Sequence, residues 1–278
     1  MSEETIFPVA QTYDTERVNW VNDSLEAPVE RASDSLVVAD EVPLSLFYDG
    51  LDYAVMMVTP HDVDDFVTGF SFTEGIVSSP SDLRQITVTA TSDGLRADIL
   101  TGPEALRTVL SRSRRPIAGR TGCGICGTDA ASIMERGEGR VRGREPEPHS
   151  IRHALENLRD HQTLNKGVGM LHAAAWCRPD GHILHVREDV GRHNALDKLI
   201  GLGLRKQVDF TEGFCLLTCR CSYEMAAKAI TAGMSAVIAL SSPTALAIRI
   251  AREAGLVLVA PARSTGLHVV SPAPVTEV

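Results

Sequence analysis

Beyond Ser150 the chain alternates short apolar runs with amphipathic stretches, an order that only a layered α/β architecture can bury. Ile151–His161 reads as a helix, Met170–Cys177 and His182–Val186 as two strands joined across Asp180-Gly181, and Arg192–Leu202 as a second helix. Phe214–Cys219, Ala236–Leu240 and Leu256–Ala260 are apolar runs of strand length, separated by helical patterns at Tyr223–Ala232 and Thr244–Ala254. The order αββαβαβαβ predicts a mixed sheet, parallel in its later half, with helices on both faces. Ligands of such sheets bind at the carboxyl ends of the strands.

The first hundred residues follow a different plan. Residues 1–33 are polar and acidic without sustained periodicity, which suits an arm that is flexible or wraps over the body. Ser35–Tyr48 and Leu51–Val58 read as a hairpin about Asp49-Gly50. Thr59-Pro60 opens a helix over Asp64–Phe72 that Gly75 closes, and Gln85–Ala90 pairs with Leu95–Leu100 about Asp93-Gly94. The expected organisation is an arm (1–34), a small N-terminal α+β domain (35–116) and an α/β domain (117–278) that begins with a long irregular loop, 117–148. A loop of that length is usually functional or disordered.

Charge narrows the function classes. The 278 residues carry 36 Asp+Glu against 27 Lys+Arg, a net −9. Residues 1–100 hold 19 acidic and 4 basic side chains, whereas 107–144 hold 9 Arg and 3 acids. An acidic protein is a poor non-specific nucleic-acid binder. Its basic island suits a phosphate-bearing small molecule, an acidic partner surface, or simply a solvated loop. No apolar run approaches the roughly 18 residues of a membrane-spanning helix. The acidic start, MSEETIF, lacks the charged region and apolar stretch of a secretory signal, so a cytoplasmic location is expected.

Six cysteines stand at 123, 126, 177, 215, 219 and 221. In Cys123-Gly124-Ile125-Cys126 two thiols could form a local disulfide, share a metal or pass sulfur between them. Gly122, Gly124 and Gly127 leave the sulfurs open, and Arg115 and Arg120 favour thiolate. No second Cys-x-x-Cys follows at zinc spacing, and the Arg/Gly/Pro loop before the motif departs from a thioredoxin-like arrangement. Cys219-Arg220-Cys221, with Cys177, His172, His185 or His193, could build a zinc site at the sheet edge. However, the deaminase pattern of His-x-Glu with a later Pro-Cys-x-x-Cys is missing, so no metal is expected and core packing is the favoured role of Cys177, Cys215, Cys219 and Cys221. Arg187–Asn194 joins a strand to a helix: Asp189 is a candidate cap, and Arg192 and His193 could support an anion at the helix N-terminus. A plain strand-to-helix turn with an exposed Arg competes with that reading. Ser222 reads as an N-cap, with Glu224 and Lys228 as an exposed i,i+4 pair.

Residues 120–127 (RTGCGICG), 172–176 (HAAAW), 188–201 (EDVGRHNALDKLIG), 222–225 (SYEM) with Lys228-Ala229, and Pro243-Thr244 with Leu246-Ala247 together resemble the FdhD family of formate dehydrogenase accessory sulfurtransferases, from about Glu41 to near the C-terminus. The resemblance implies a cytoplasmic maturation factor with a cytidine-deaminase-like core, usually dimeric. Such a factor carries sulfur from a cysteine desulfurase to the molybdenum cofactor, the Mo-bis-molybdopterin guanine dinucleotide, of the formate dehydrogenase catalytic subunit. Cys123 matches the persulfide-carrying position and Cys126 the assisting one. Pro261, Ala262, Arg263, Ser264, Thr265 and Gly266 fall in the segment associated with cofactor binding, where Ala260-Pro261 replaces the family's usual Gly-Phe. The rival functions are a non-catalytic cofactor chaperone and a zinc-dependent deaminase-type hydrolase.

Overall fold

The computed structural model describes residues 7–21, 23–24, 28–113, 139–261 and 266–273. Its first element is a two-stranded antiparallel ribbon, β1 (Ala10–Trp20) with β2 (Val29–Ala39). This corrects the reading of residues 1–33 as lacking regular structure, and it assigns Ser35–Ala39 to the ribbon and not to the following hairpin. Both faces of the ribbon are largely exposed, so neither strand carries the apolar alternation that marks a half-buried strand.

β3 (Val42–Tyr48), β4 (Leu51–Val58), β5 (Leu83–Thr91) and β6 (Gly94–Thr101) form a four-stranded sheet in the order β4-β3-β6-β5. The β3–β4 turn uses positive φ at both Asp49 (50°) and Gly50 (81°), the conformation an Asp-Gly hairpin supplies. α1 (Val63–Thr73) covers one face, where Leu44, Leu46, Tyr48, Phe66 and Ile99 form a core. α2 (Pro103–Ser113) continues from β6 and inserts Ala105 and Val109 into that core. This helix stands where no element was expected.

The second sheet runs β12-β11-β10-β9-β7-β8, from β7 (His172–Cys177), β8 (Ile183–Asp189), β9 (Phe214–Arg220), β10 (Ala236–Ser241), β11 (Val257–Pro261) and β12 (Leu267–Ser271). β9, β10 and β11 are parallel, while β7 and β12 run antiparallel to their neighbours. α3 (Pro148–His161) packs on one face; α4 (Arg192–Lys206), α5 (Tyr223–Thr231) and α6 (Ala245–Ala254) pack on the other. The mixed sheet with helices on both faces is as expected; the edge strand β12 is an addition. Among the described residues no helix is long and apolar enough to cross a membrane.

The small domain and the α/β sheet meet where α1 crosses α4. A Cβ on Gly69 would lie 1.8 Å from the Asp197 carbonyl oxygen, and one on Gly201 would lie 1.9 Å from that of Asp65. The two backbones therefore touch, and only glycine fits at either position.

Candidate functional site

The 188–201 stretch spans the end of β8 and the first turns of α4, and most of its polar side chains are used in docking. Asp189 is fully buried. Its Oδ2 accepts from the Thr59 N–H at 3.0 Å and pairs with Lys198 Nζ at 2.6 Å. Its Oδ1 accepts from the Gly191 N–H (2.8 Å) and from Asn194 Nδ2 (2.9 Å). Asn194 Nδ2 also donates to the Met57 carbonyl at 2.7 Å, and Lys198 Nζ to those of Thr59 (3.1 Å) and Glu188 (3.2 Å). These bonds tie the end of β4 to the start of α4. Asp189 is thus no cap of α4, whose N-cap is Gly191 without a side-chain bond. A Cβ on Gly191 would lie 2.8 Å from Asn194 Nδ2, so this glycine makes room for Asn194, not for a ligand.

A second buried set lies one turn further on. Lys228 donates to both oxygens of Asp197 at 2.9 Å and to Thr73 Oγ1 at 2.8 Å, and lies 3.7 Å from Glu74. Lys228 is therefore not the exposed partner of Glu224. Burial raises the Asp197 carboxyl, against the pull of Lys228 and Thr73. Asp65 adds a third tie, accepting from Arg187 (2.7 Å) and Arg205 (2.7 Å).

Docking leaves Arg192 and His193 over. His193 is 7% exposed, yet neither its Nε2 nor Arg192 Nε has a hydrogen-bond partner among the described residues. Buried polar nitrogens without partners call for an explanation in function or in a bound group. Burial pushes His193 down to about 4, helped by the charges of Arg192 and Lys228 and opposed by Glu224, so it is neutral near pH 7. His172, opposite Asp189 in the β7–β8 register, is lowered by burial and then by Arg192. Burial alone would raise Glu224, but the Ser222 hydroxyl, a backbone N–H and the nearby His193 and Arg192 hold it below the ordinary carboxylate range. Ser222 is the α5 N-cap residue but makes no capping bond to the helix. The cluster therefore sits at the N-termini of α4 and α5, at the carboxyl edge where an α/β sheet places ligands.

Pro261 ends β11 at the same edge, paired with Leu267 of β12, and Gly266 is exposed beside it. It lies four strand spacings from β8, roughly 19 Å. Among the described residues, Arg192 and His193 at the start of α4 and Pro261 and Gly266 beside β12 thus lie along the same sheet edge. Ala262, Arg263, Ser264, Thr265, Cys123 and Cys126 lie outside the described residues.

The other four cysteines are free thiols in the cores. Burial pushes Cys177 up to about 12 and raises Cys215 and Cys221 strongly. Cys219 is also raised by burial, with Arg192 opposing. Among the described residues no group of three or more His, Cys, Asp or Glu side chains could hold a metal.

The docking roles of Lys198 and Asp197 were not singled out from the sequence. The available signal is an Asp-Lys pair inside an otherwise apolar helical run, Leu196 to Ile200.

The FdhD/NarQ family profile matches residues 39–274. The chain belongs to the FdhD/NarQ family. Its relatives include the sulfur carrier protein FdhD of Cupriavidus necator, 44% identical over 84% of this chain and 81% of that protein. Another is the sulfur carrier protein FdhD of Bordetella bronchiseptica, 39% identical over 87% of this chain and 88% of that one. A crystal structure from Desulfotalea psychrophila, of a protein proposed to be a formate dehydrogenase accessory protein, superposes with a TM-score of 0.71 at 20% identity. It covers 95% of this chain and 98% of its own, a likeness of fold across the family domain and beyond.

Proposed function

We propose that this family member is a sulfur carrier for formate dehydrogenase maturation, with Cys123 as the persulfide carrier and Cys126 as its assistant. The observation that carries this reading is the glycine-flanked Cys-Gly-Ile-Cys motif in a chain 44% identical to a sulfur carrier protein. The remaining four thiols are buried and held protonated, which leaves 123 and 126 as the candidates for exchange.

In this reading the Cys123 thiolate attacks the outer sulfur of a cysteine desulfurase persulfide. The new S–S bond forms on Cys123, the donor S–S bond breaks, and the donor cysteine leaves as thiolate. Attack by the Cys126 thiolate on the inner sulfur of Cys123 then forms a disulfide and releases HS⁻ as the sulfur ligand for molybdenum. A dithiol reductant resets the pair. The Mo-bis-molybdopterin guanine dinucleotide is the acceptor substrate, with Arg192 and His193 and the 261–266 segment as its contacts. The carrier works in the cytoplasm as a homodimer, serves the catalytic subunit of formate dehydrogenase, and uses a cytidine-deaminase-like core without that fold's metal chemistry; the αββαβαβαβ order supports such a core, and the missing His-x-Glu and Pro-Cys-x-x-Cys pattern supports sharing of the fold alone.

The test loads the protein with a desulfurase and cysteine and weighs it intact. One added sulfur on the parent and none on Cys123→Ser is the expected result. A Cys123→Ser variant that still gains sulfur and still activates formate dehydrogenase would overturn the reading.

A further inference from the structure

Arg192 and His193 open α4 on a frame that the surrounding bonds hold fixed. Before them Asp189 accepts from the Gly191 N–H, and after them Asn194 is held by Asp189 and by the Met57 carbonyl. The β7–β9 register, in which Ala174 faces Leu217, sets His172 level with Cys219 at the same end of the sheet. α4, with 15 residues, and α5, with 9, both begin at this edge, and neither N-cap residue, Gly191 or Ser222, makes a side-chain capping bond. The first N–H groups of a helix have no partner within it and carry its positive end.

A second observation is independent of the helix ends. His193 is 7% exposed, and its Nε2 and Arg192 Nε are buried with no hydrogen-bond partner among the described residues. Such atoms are costly to leave bare, which points to an acceptor bound between them. Charge defines that acceptor. Lys228, whose charge also acts on His193, is committed to Asp197 at 2.9 Å. Arg192 makes no ion pair among the described residues, so it offers one uncompensated positive charge. Glu224 stays ionised near pH 7 beside both residues, and its charge would repel a second negative charge on a ligand. Size narrows the choice further. With so little of His193 open, only a ligand of a few heavy atoms reaches its Nε2, while half-buried Arg192 presents the Nε edge of a planar fork that matches two carboxylate oxygens.

We infer that Arg192 and His193 bind a small monocarboxylate of formate or acetate size, with its two oxygens on the Nε edge of the guanidinium and one of them also on His193 Nε2. Neutral His193 donates there as its Nε2–H tautomer. The function proposed above places the cofactor on the same two residues, so a bound carboxylate would compete with the acceptor; only this consequence rests on that reading.

The test titrates formate into the full chain at constant ionic strength and follows the ring signals of histidine-labelled protein by NMR, with His193→Gln identifying the His193 signal. Saturable movement of that signal is expected, with acetate acting alike and sulfate about tenfold weaker or more. Arg192→Lys keeps the charge but loses the planar edge, and should weaken formate about tenfold or more. Arg192→Gln, which also removes the charge, should abolish saturation and serves as the second variant. Sulfate binding as tightly as formate, equal formate binding by the parent and either variant, or a His193 signal that formate does not move, overturns the inference. Sulfur loading of Cys123 by a desulfurase, read by mass, does not depend on this titration, so failure of the pocket and failure of the carrier reading are told apart.

Discussion

Lys198 Nζ lies 2.6 Å from Asp189 Oδ2 with both side chains fully buried, and the same ammonium donates to the Thr59 carbonyl across the domain boundary. A charge desolvated to this degree is tolerated only because its partner and two carbonyls surround it. Lys198→Met leaves Asp189 as an uncompensated buried carboxylate and should cost about 3–5 kcal/mol in urea denaturation. Pairing it with Asp189→Asn should recover a large part of that loss. Purely additive losses in the two single variants would show that the ions are not coupled.

The α1–α4 crossing makes a steric prediction. Gly201→Ala drives a methyl group into the Asp65 carbonyl and should cost about 1–3 kcal/mol or more by forcing the helices apart. Gly50→Ala, with nothing within 4 Å of the added carbon, is strained only by its positive φ and serves as the comparison. Equal midpoints for Gly201→Ala and the parent protein would contradict the close approach.

His193 predicts a pH dependence. Its folded pKa, about 4, lies below the ordinary imidazole value of about 6.5, so below that value the unfolded chain binds a proton that the folded protein refuses. Stability is therefore fully present above about pH 6.5 and falls as pH drops toward 4, by about 3 kcal/mol from this group. Denaturation curves at steps between pH 4 and 7 should show a shallower slope for His193→Gln than for the parent. An unchanged slope would mean that His193 does not carry the effect.

The thiols should separate by accessibility. Alkylation of the native protein near neutral pH should label Cys123 and Cys126 and spare Cys177, Cys215 and Cys221, which burial keeps protonated. Peptide mapping after a short exposure checks this. Label on Cys215 before unfolding would contradict its buried position.

Local chemistry explains which elements were legible. Asp49-Gly50 announced its hairpin because an Asp-Gly pair accepts two positive φ values, and the β9–α5–β10–α6–β11 alternation was plain from apolar periodicity. The β1–β2 ribbon was not, because strands exposed on both faces have no apolar alternation to read. α2 does carry a local signal, a Gly102-Pro103-Glu104 start with Ala105 and Val109 one turn apart, but only two of its side chains reach the core.

The sequence by itself determined the layered α/β order, the tight turns, the family and the glycine-flanked Cys-x-x-Cys motif, since each depends on residues close together in the chain. Only the tertiary structure decided that Lys228 turns from Glu224, four residues away, to Asp197 and Thr73, the latter 155 residues away. It also decided that Asp189 and Lys198 join the β3–β6 sheet to the α/β sheet, that four thiols are buried, and that Arg192 Nε and His193 Nε2 have no partner among the described residues. The cost of desolvating a charge is set by what packs around it, and for Lys198 and Lys228 part of that packing, Thr59 and Thr73, comes from more than a hundred residues away.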